Sequence, residues 1–266
     1  MERESGNDAG EGDWRITVKK HTTVVSFLLD ETGSMQAIKG DTVGGFNAYV
    51  ETLQKAGADI VFSLVSFNSH ETRPRYVAEP IDTIEPLTAD TYRPRAMTPL
   101  IDAAVTIINA TEDAVTKRDD DPNVVIVVQT DGQENASVEH TRADLAALIT
   151  EKEAADWQFV FLGAGLDAFT AAHNAGIRLN AEQVVSYDRS RSREVFAETA
   201  ANLRDFARSG RREQLHYRQD QRRRVGDTYT GRHLDLTTRS PQESAPSPTS
   251  TRQRASSVDD LDLNAT

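Results

Sequence analysis

TVVSFLLDETGS, from Thr23 to Ser34, decides how the rest of the chain is read. Val24, Val25, Phe27, Leu28 and Leu29 form an apolar run with almost no polar interruption, the pattern of a strand buried on both faces. Asp30, Thr32 and Ser34 then fall at alternate positions, with Gly33 giving the backbone room to turn. Three oxygen-bearing side chains are thereby expected to converge, and such clusters suit hard cations such as Mg²⁺.

Outward from this stretch, strand and helix patterns alternate. Apolar residues recur at steps of three and four from Ser34 to about Ala56 (Ile38, Val43, Phe46, Tyr49, Val50, Leu53), predicting an amphipathic helix closed by Gly57. A second strand is expected over 59–67, and a weaker one over 73–78 carries Pro74 and reads as an edge. After a Pro-punctuated connection, Thr98 reads as the cap and Pro99 as the first residue of a helix with Leu100, Ile101, Ala104, Val105, Ile107 and Ile108 on its apolar face. VVIVVQT over 124–130 is the most apolar stretch and reads as the central strand, ending at Asp131–Gly132. Helices near 140–154, 166–175 and 192–208 and strands at 157–162 and 184–187 complete the series. This order predicts an α/β fold: a doubly wound, mainly parallel sheet with one antiparallel edge strand and helices on both faces.

The 266 residues are expected to divide into a flexible segment over 1–20, a folded domain over 21–208 and a disordered tail over 209–266. Absence of cysteine excludes disulfides and thiolate chemistry. No basic-then-apolar leader and no run of roughly 18–20 apolar residues is present, so a soluble, cytoplasmic protein without a membrane partner is expected. Net charge is −12. Residues 209–266 hold ten Arg against eight acids, leaving −14 on residues 1–208, a balance that disfavours nucleic acid except weakly through the Arg-rich stretch 204–224.

In an open parallel sheet, ligands bind beyond the carboxyl ends of the strands. Asp30, Thr32, Ser34, Thr98 and Asp131 are all predicted at that rim. D-x-T-x-S, a later Thr before a helix, and T-D-G after a central strand together resemble the von Willebrand factor A domain, over about residues 21–208 and in the form seen in prokaryotic or viral members. The resemblance implies a metal-ion-dependent adhesion site. Thr32 and Ser34 would be direct hydroxyl ligands, Thr32 standing where the family usually has serine. Asp30 and Asp131 would act directly or through water, and Thr98 would engage when a partner is bound. It further implies Mg²⁺, with Mn²⁺ or Ca²⁺ as substitutes, and a protein partner offering an Asp or Glu, in some relatives a ring-forming ATPase or an assembly component. No catalytic role is implied.

Taken singly, each residue also has an ordinary use: Asp30 and Asp131 as turn formers, Ser34 and Thr98 as helix caps. Glu31 and Glu134 read as shaping local charge. Two other readings stay open. Gly163–Ala164–Gly165–Leu166–Asp167–Ala168, with Asp188 further on, matches the phosphate turn of a nucleotide-binding α/β enzyme. Alternatively, the chain is a scaffold whose metal site is idle. The histidines show no H-x-x-x-H pair, which disfavours a zinc hydrolase. The stretch SSVDDLDLN near the end of the chain mixes acids with Val and Leu, a composition compatible with a docking segment though nothing in the sequence requires one.

Overall fold

The computed structural model describes residues 22–229. The expectations for residues 1–20 and for the tail beyond Tyr229 lie outside the described residues.

Six strands form one sheet in the order β3-β2-β1-β4-β5-β6. They are β1 (Thr23–Asp30), β2 (Ile60–Asn68), β3 (Glu71–Pro80), β4 (Asn123–Thr130), β5 (Gln158–Ala164) and β6 (Val184–Tyr187). All pairings are parallel except β2 with β3. β3 is the antiparallel edge expected from Pro74, which pairs with Val65 beside a register irregularity. β1 is buried along its whole length, because its alternate faces serve two separate cores. Val25, Phe27 and Leu29 point to one, Val24 and Leu28 to the other.

Helices α1 (Lys39–Gln54) and α5 (Ser192–Ser209) cover the first face. Phe27, Phe46, Tyr49, Phe62 and Phe196 meet there with ring centroids 5.3–6.5 Å apart, spacings that favour edge-to-face and offset contacts. Gly45 makes this approach feasible, since a Cβ there would lie 2.5 Å from Phe196 Cδ2. Helices α2 (Leu100–Val115), α3 (Arg142–Ala154) and α4 (Ala168–Ala175) lie over the second face. No helix among the described residues is long and apolar enough to cross a membrane.

Two expectations need correction. The helix predicted from Ser34 begins with a 3-10 turn, Gly33–Ile38, and becomes α-helical only at Lys39. The disordered tail does not begin at 209: Arg212–Leu215 forms a 3-10 turn and Gln219–Val225 a helix, α6. Leu215, Tyr217 and Val225 join the first core. Arg222 is buried and fully used: its Nη1 donates to Val184 O and Asp227 Oδ2, its Nη2 to Ala181 O and its Nε to Tyr217 O. Composition hid this segment because its anchor is a satisfied guanidinium rather than an apolar stripe. Removing one partner of a buried ion pair costs about 3–5 kcal/mol. Arg222→Ala is therefore expected to lower the unfolding free energy by that amount in urea titration. A change within about 0.5 kcal/mol would show that α6 does not belong to the folded unit.

Candidate metal centre

β1 and β4 are neighbours in register, Leu29 opposite Gln129. The residues that follow them therefore emerge side by side at the carboxyl edge of the sheet. Asp30 is fully buried; its Oδ1 accepts from Thr32 N at 2.7 Å and its Oδ2 from Thr130 Oγ1 at 2.5 Å. The Tyr92 hydroxyl donates to Asp30 O, fixing the backbone beneath it. Thr32 Oγ1 lies 3.2 Å from Ser34 Oγ, and Ser34 Oγ donates to Asp131 Oδ1 at 2.5 Å. Thr98 reaches the same place: a Cβ built on Gly132 would stand 3.0 Å from Thr98 Oγ1 and 3.7 Å from Ser34 Oγ. The structure thus brings all five sequence-predicted residues to one rim.

Asp30 keeps its ordinary turn-forming bond to Thr32 N, but the expected capping uses are absent. Thr32 occupies the N-cap position of the 3-10 turn without a side-chain cap bond. α2 begins at Leu100 with Pro99 at its N-cap position, so Thr98 is not the cap expected from sequence. Glu134 and Ser137 satisfy the first turn instead, accepting from Ile101 N and Asp102 N. Asp102 in turn holds the 138–140 backbone. Thr98 is buttressed from both sides: its N–H donates to Asn135 Oδ1 and its carbonyl accepts from Asn135 N. Among the described residues neither of these bonds uses its hydroxyl.

Electrostatically, the site has a surplus of negative charge. Burial pushes the Asp30 carboxyl up to about 6, against the hydrogen bonds from Thr130 and Thr32, and the nearby Asp131 raises it further. Asp131 is also raised by burial, offset by Ser34 and by Arg189. Arg189 Nη2 stands 3.2 Å from Asp131 Oδ2 and is half-exposed. Sequence reasoning missed it, since only the position of β6 carries it there. Among the described residues no three His, Cys, Asp or Glu cluster as metal ligands; a cation here would be held largely by hydroxyls. The donor set fits a hard divalent ion: two carboxylates disfavoured by burial, three hydroxyls freed from capping, and a glycine in place of a side chain that would crowd them.

Glu31 does more than shape charge. Its buried carboxylate accepts from Arg73 Nη2 and Arg75 Nη2 at 2.9–3.2 Å and from Arg93 N. Burial alone would raise it, but the Arg93 N–H, Ser66 and the two guanidiniums hold it below the ordinary carboxylate range. With Gly33 N donating to Ala96 O and Arg95 N to Glu31 O, it ties the 93–97 loop to the end of β1. That loop delivers Thr98.

The turn at Gly163–Ala168 is accounted for by packing. A Cβ on Gly163 would lie 2.6 Å from Ala168 Cβ, and one on Gly165, at φ +67°, would lie 2.9 Å from Arg189 Nε. Asp167 caps α4 through Thr170 N, and Asp188 accepts from Ser190 N. The open sides of both glycines are covered by the chain itself.

The doubly wound sheet, its single antiparallel edge strand and the rim at the ends of β1 and β4 are the architecture that the sequence resemblance implied. No protein-family model and no curated protein matches the chain. Similar solved structures include proximal thread matrix protein 1 from the mussel byssus with a zinc-occupied adhesion motif, at 14% identity and TM-score 0.48 over 72% of this chain and 46% of that one. A von Willebrand factor type A protein from Catenulispora acidiphila matches at 14% identity and TM-score 0.47 over 68% of this chain and 42% of that one. Manganese-loaded TRAP protein from Plasmodium vivax matches at 12% and 0.41, over 67% and 74%. The chain spans less than half the length of the mussel and Catenulispora proteins.

A prediction follows from the raised Asp30. Between its ordinary value of 3.8 and about 6 the folded chain holds a proton that the unfolded chain has released, so stability without metal falls as pH rises through this window and is level above it. Asp30→Asn removes the charge, and Thr130 Oγ1 can donate instead to Gly132 O, 3.2 Å away. In EDTA at pH 8 the variant is expected to be more stable than wild type by about 1–3 kcal/mol, with the gap closing below pH 4. Equal stability across the range would show that Asp30 carries no burial penalty.

Proposed function

We propose that the chain is a divalent-cation-dependent protein-binding module of the von Willebrand factor A kind, and not an enzyme. Thr32 and Ser34 are its direct hydroxyl ligands, Asp30 and Asp131 its carboxylates, and Thr98 the ligand that engages when a partner is bound. The reading rests above all on one observation: five oxygen side chains from three distant segments share a rim where none of the three hydroxyls is spent on capping and burial leaves two carboxylates poorly compensated. A cation held mainly by neutral hydroxyls keeps most of its charge, and Mg²⁺ normally retains exchangeable waters. When bound it would supply an electrophilic position for a carboxylate from another molecule. Mg²⁺ is the ion proposed, with Mn²⁺ and Ca²⁺ as substitutes; a ring-forming ATPase as partner follows from the resemblance alone.

A second reading has its own support. Arg189 already places a guanidinium beside Asp131, and a site balanced in this way would be an idle scaffold. Thermal melting separates the two. A ligand at 100 times its Kd stabilises the native state by about 2.7 kcal/mol, roughly 5–10 °C for a domain of this size. Wild type in excess Mg²⁺ is expected to show that rise over EDTA, and Ser34→Ala to lose it. No rise in wild type, with one appearing in Arg189→Gln, would favour the idle site; no rise in either would remove the metal reading.

A further inference from the structure

Next to the metal centre, on the β3 side, lies a cavity of about 350 Å³ lined by Arg73, Arg75, Arg93 and Arg95. Its acids are already committed or outnumbered. Glu31 is shared by two guanidiniums, Glu71 pairs with Arg95, and Asp90 completes the lining. Several donors stay unused among the described residues. Arg93 bonds only through Nε, to Asp90 O; Arg95 bonds only through Nη2; the buried Arg73 Nε has no acceptor. In a chain of net charge −12, this is a local reversal of sign, and guanidinium forks match carboxylate oxygens in geometry. The cavity shares Glu31 with the segment that carries Asp30 and Thr32.

We infer that this arginine cavity is a second anchor for acidic side chains of a protein ligand, and that the occupant is the chain's own segment Val258–Leu263, VDDLDL. The inference rests on the metal-site reading for the first anchor only. The segment carries three acids, Asp259, Asp260 and Asp262, enough to offer one carboxylate to the metal and another to the arginines. The chain leaves the described structure in a suitable place. Asp188 N donates to Val225 O, and a Cβ on Gly226 would stand 3.1 Å from Asp188 Cβ, next to the Arg189 that touches Asp131. From β6 to β3 the rim spans five strand intervals, about 24 Å. Roughly 31 residues separate Tyr229 from Asp260, a length whose random-coil average of about 30 Å would cover that distance, and matching lengths give an effective concentration near millimolar.

The test uses the full-length chain and a fluorescent peptide of residues 254–264, read by anisotropy in Mg²⁺ and in EDTA. Protein with Asp259, Asp260 and Asp262 all changed to Asn is expected to bind the peptide at least tenfold more tightly than wild type, whose own segment competes. Adding the exposed substitutions Arg93→Gln and Arg95→Gln should weaken binding about tenfold in both buffers. Binding that responds to the arginines but not to Mg²⁺ upholds the cavity and removes the metal reading. Mg²⁺-dependent binding indifferent to the arginines does the reverse. Equal binding to wild type and Asn-substituted protein, or none to either, overturns the segment as occupant.

Discussion

Two carboxylates buried where β1 and β4 end are the constraint on which the rest of this structure turns. Asp30 is out of contact with solvent and tied by Thr130 across the strand boundary. Asp131 faces it with one half-exposed guanidinium for company. Burial of this kind is unfavourable unless charge is met by charge or by hydrogen bonds, and the surroundings supply Thr32, Thr130, Ser34 and Arg189 to these two groups. Gly132 keeps the space open, and Glu134, Ser137 and Asn135 hold α2 and its preceding loop without using the Thr98 hydroxyl.

Much of this was legible in the sequence because it rests on local pattern. Continuous apolar runs locate the strands, three- and four-residue periodicity locates the helices, and the fold then sends Asp30, Thr32, Ser34, Thr98 and Asp131 to one edge. What was not legible depends on long-range register. Glu31 meets Arg73 and Arg75 across 42 and 44 residues, a contact fixed only by how β3 pairs with β2. Arg189 meets Asp131 across 58 residues through the placement of β6. Thr98 was misread as a cap because Thr-Pro before an apolar helix has that form; the real cap groups sit more than thirty residues later. α6 escaped notice because two of the three residues it buries, Gln221 and Arg222, are polar.

The carboxyl edge of the sheet therefore carries a graded field within an acidic protein. The candidate metal centre lies at its middle, Arg189 on the β6 side and the Glu31-centred arginines on the β3 side.

The most direct measurement is a crystal structure grown with Mn²⁺ and read by anomalous scattering. The account predicts a peak bounded by Thr32 Oγ1, Ser34 Oγ and the Asp131 carboxylate at hard-ion distances of about 2.0–2.2 Å, with the Arg189 guanidinium drawn away from Asp131. Absence of a peak at saturating Mn²⁺, with Arg189 still on Asp131, would contradict it.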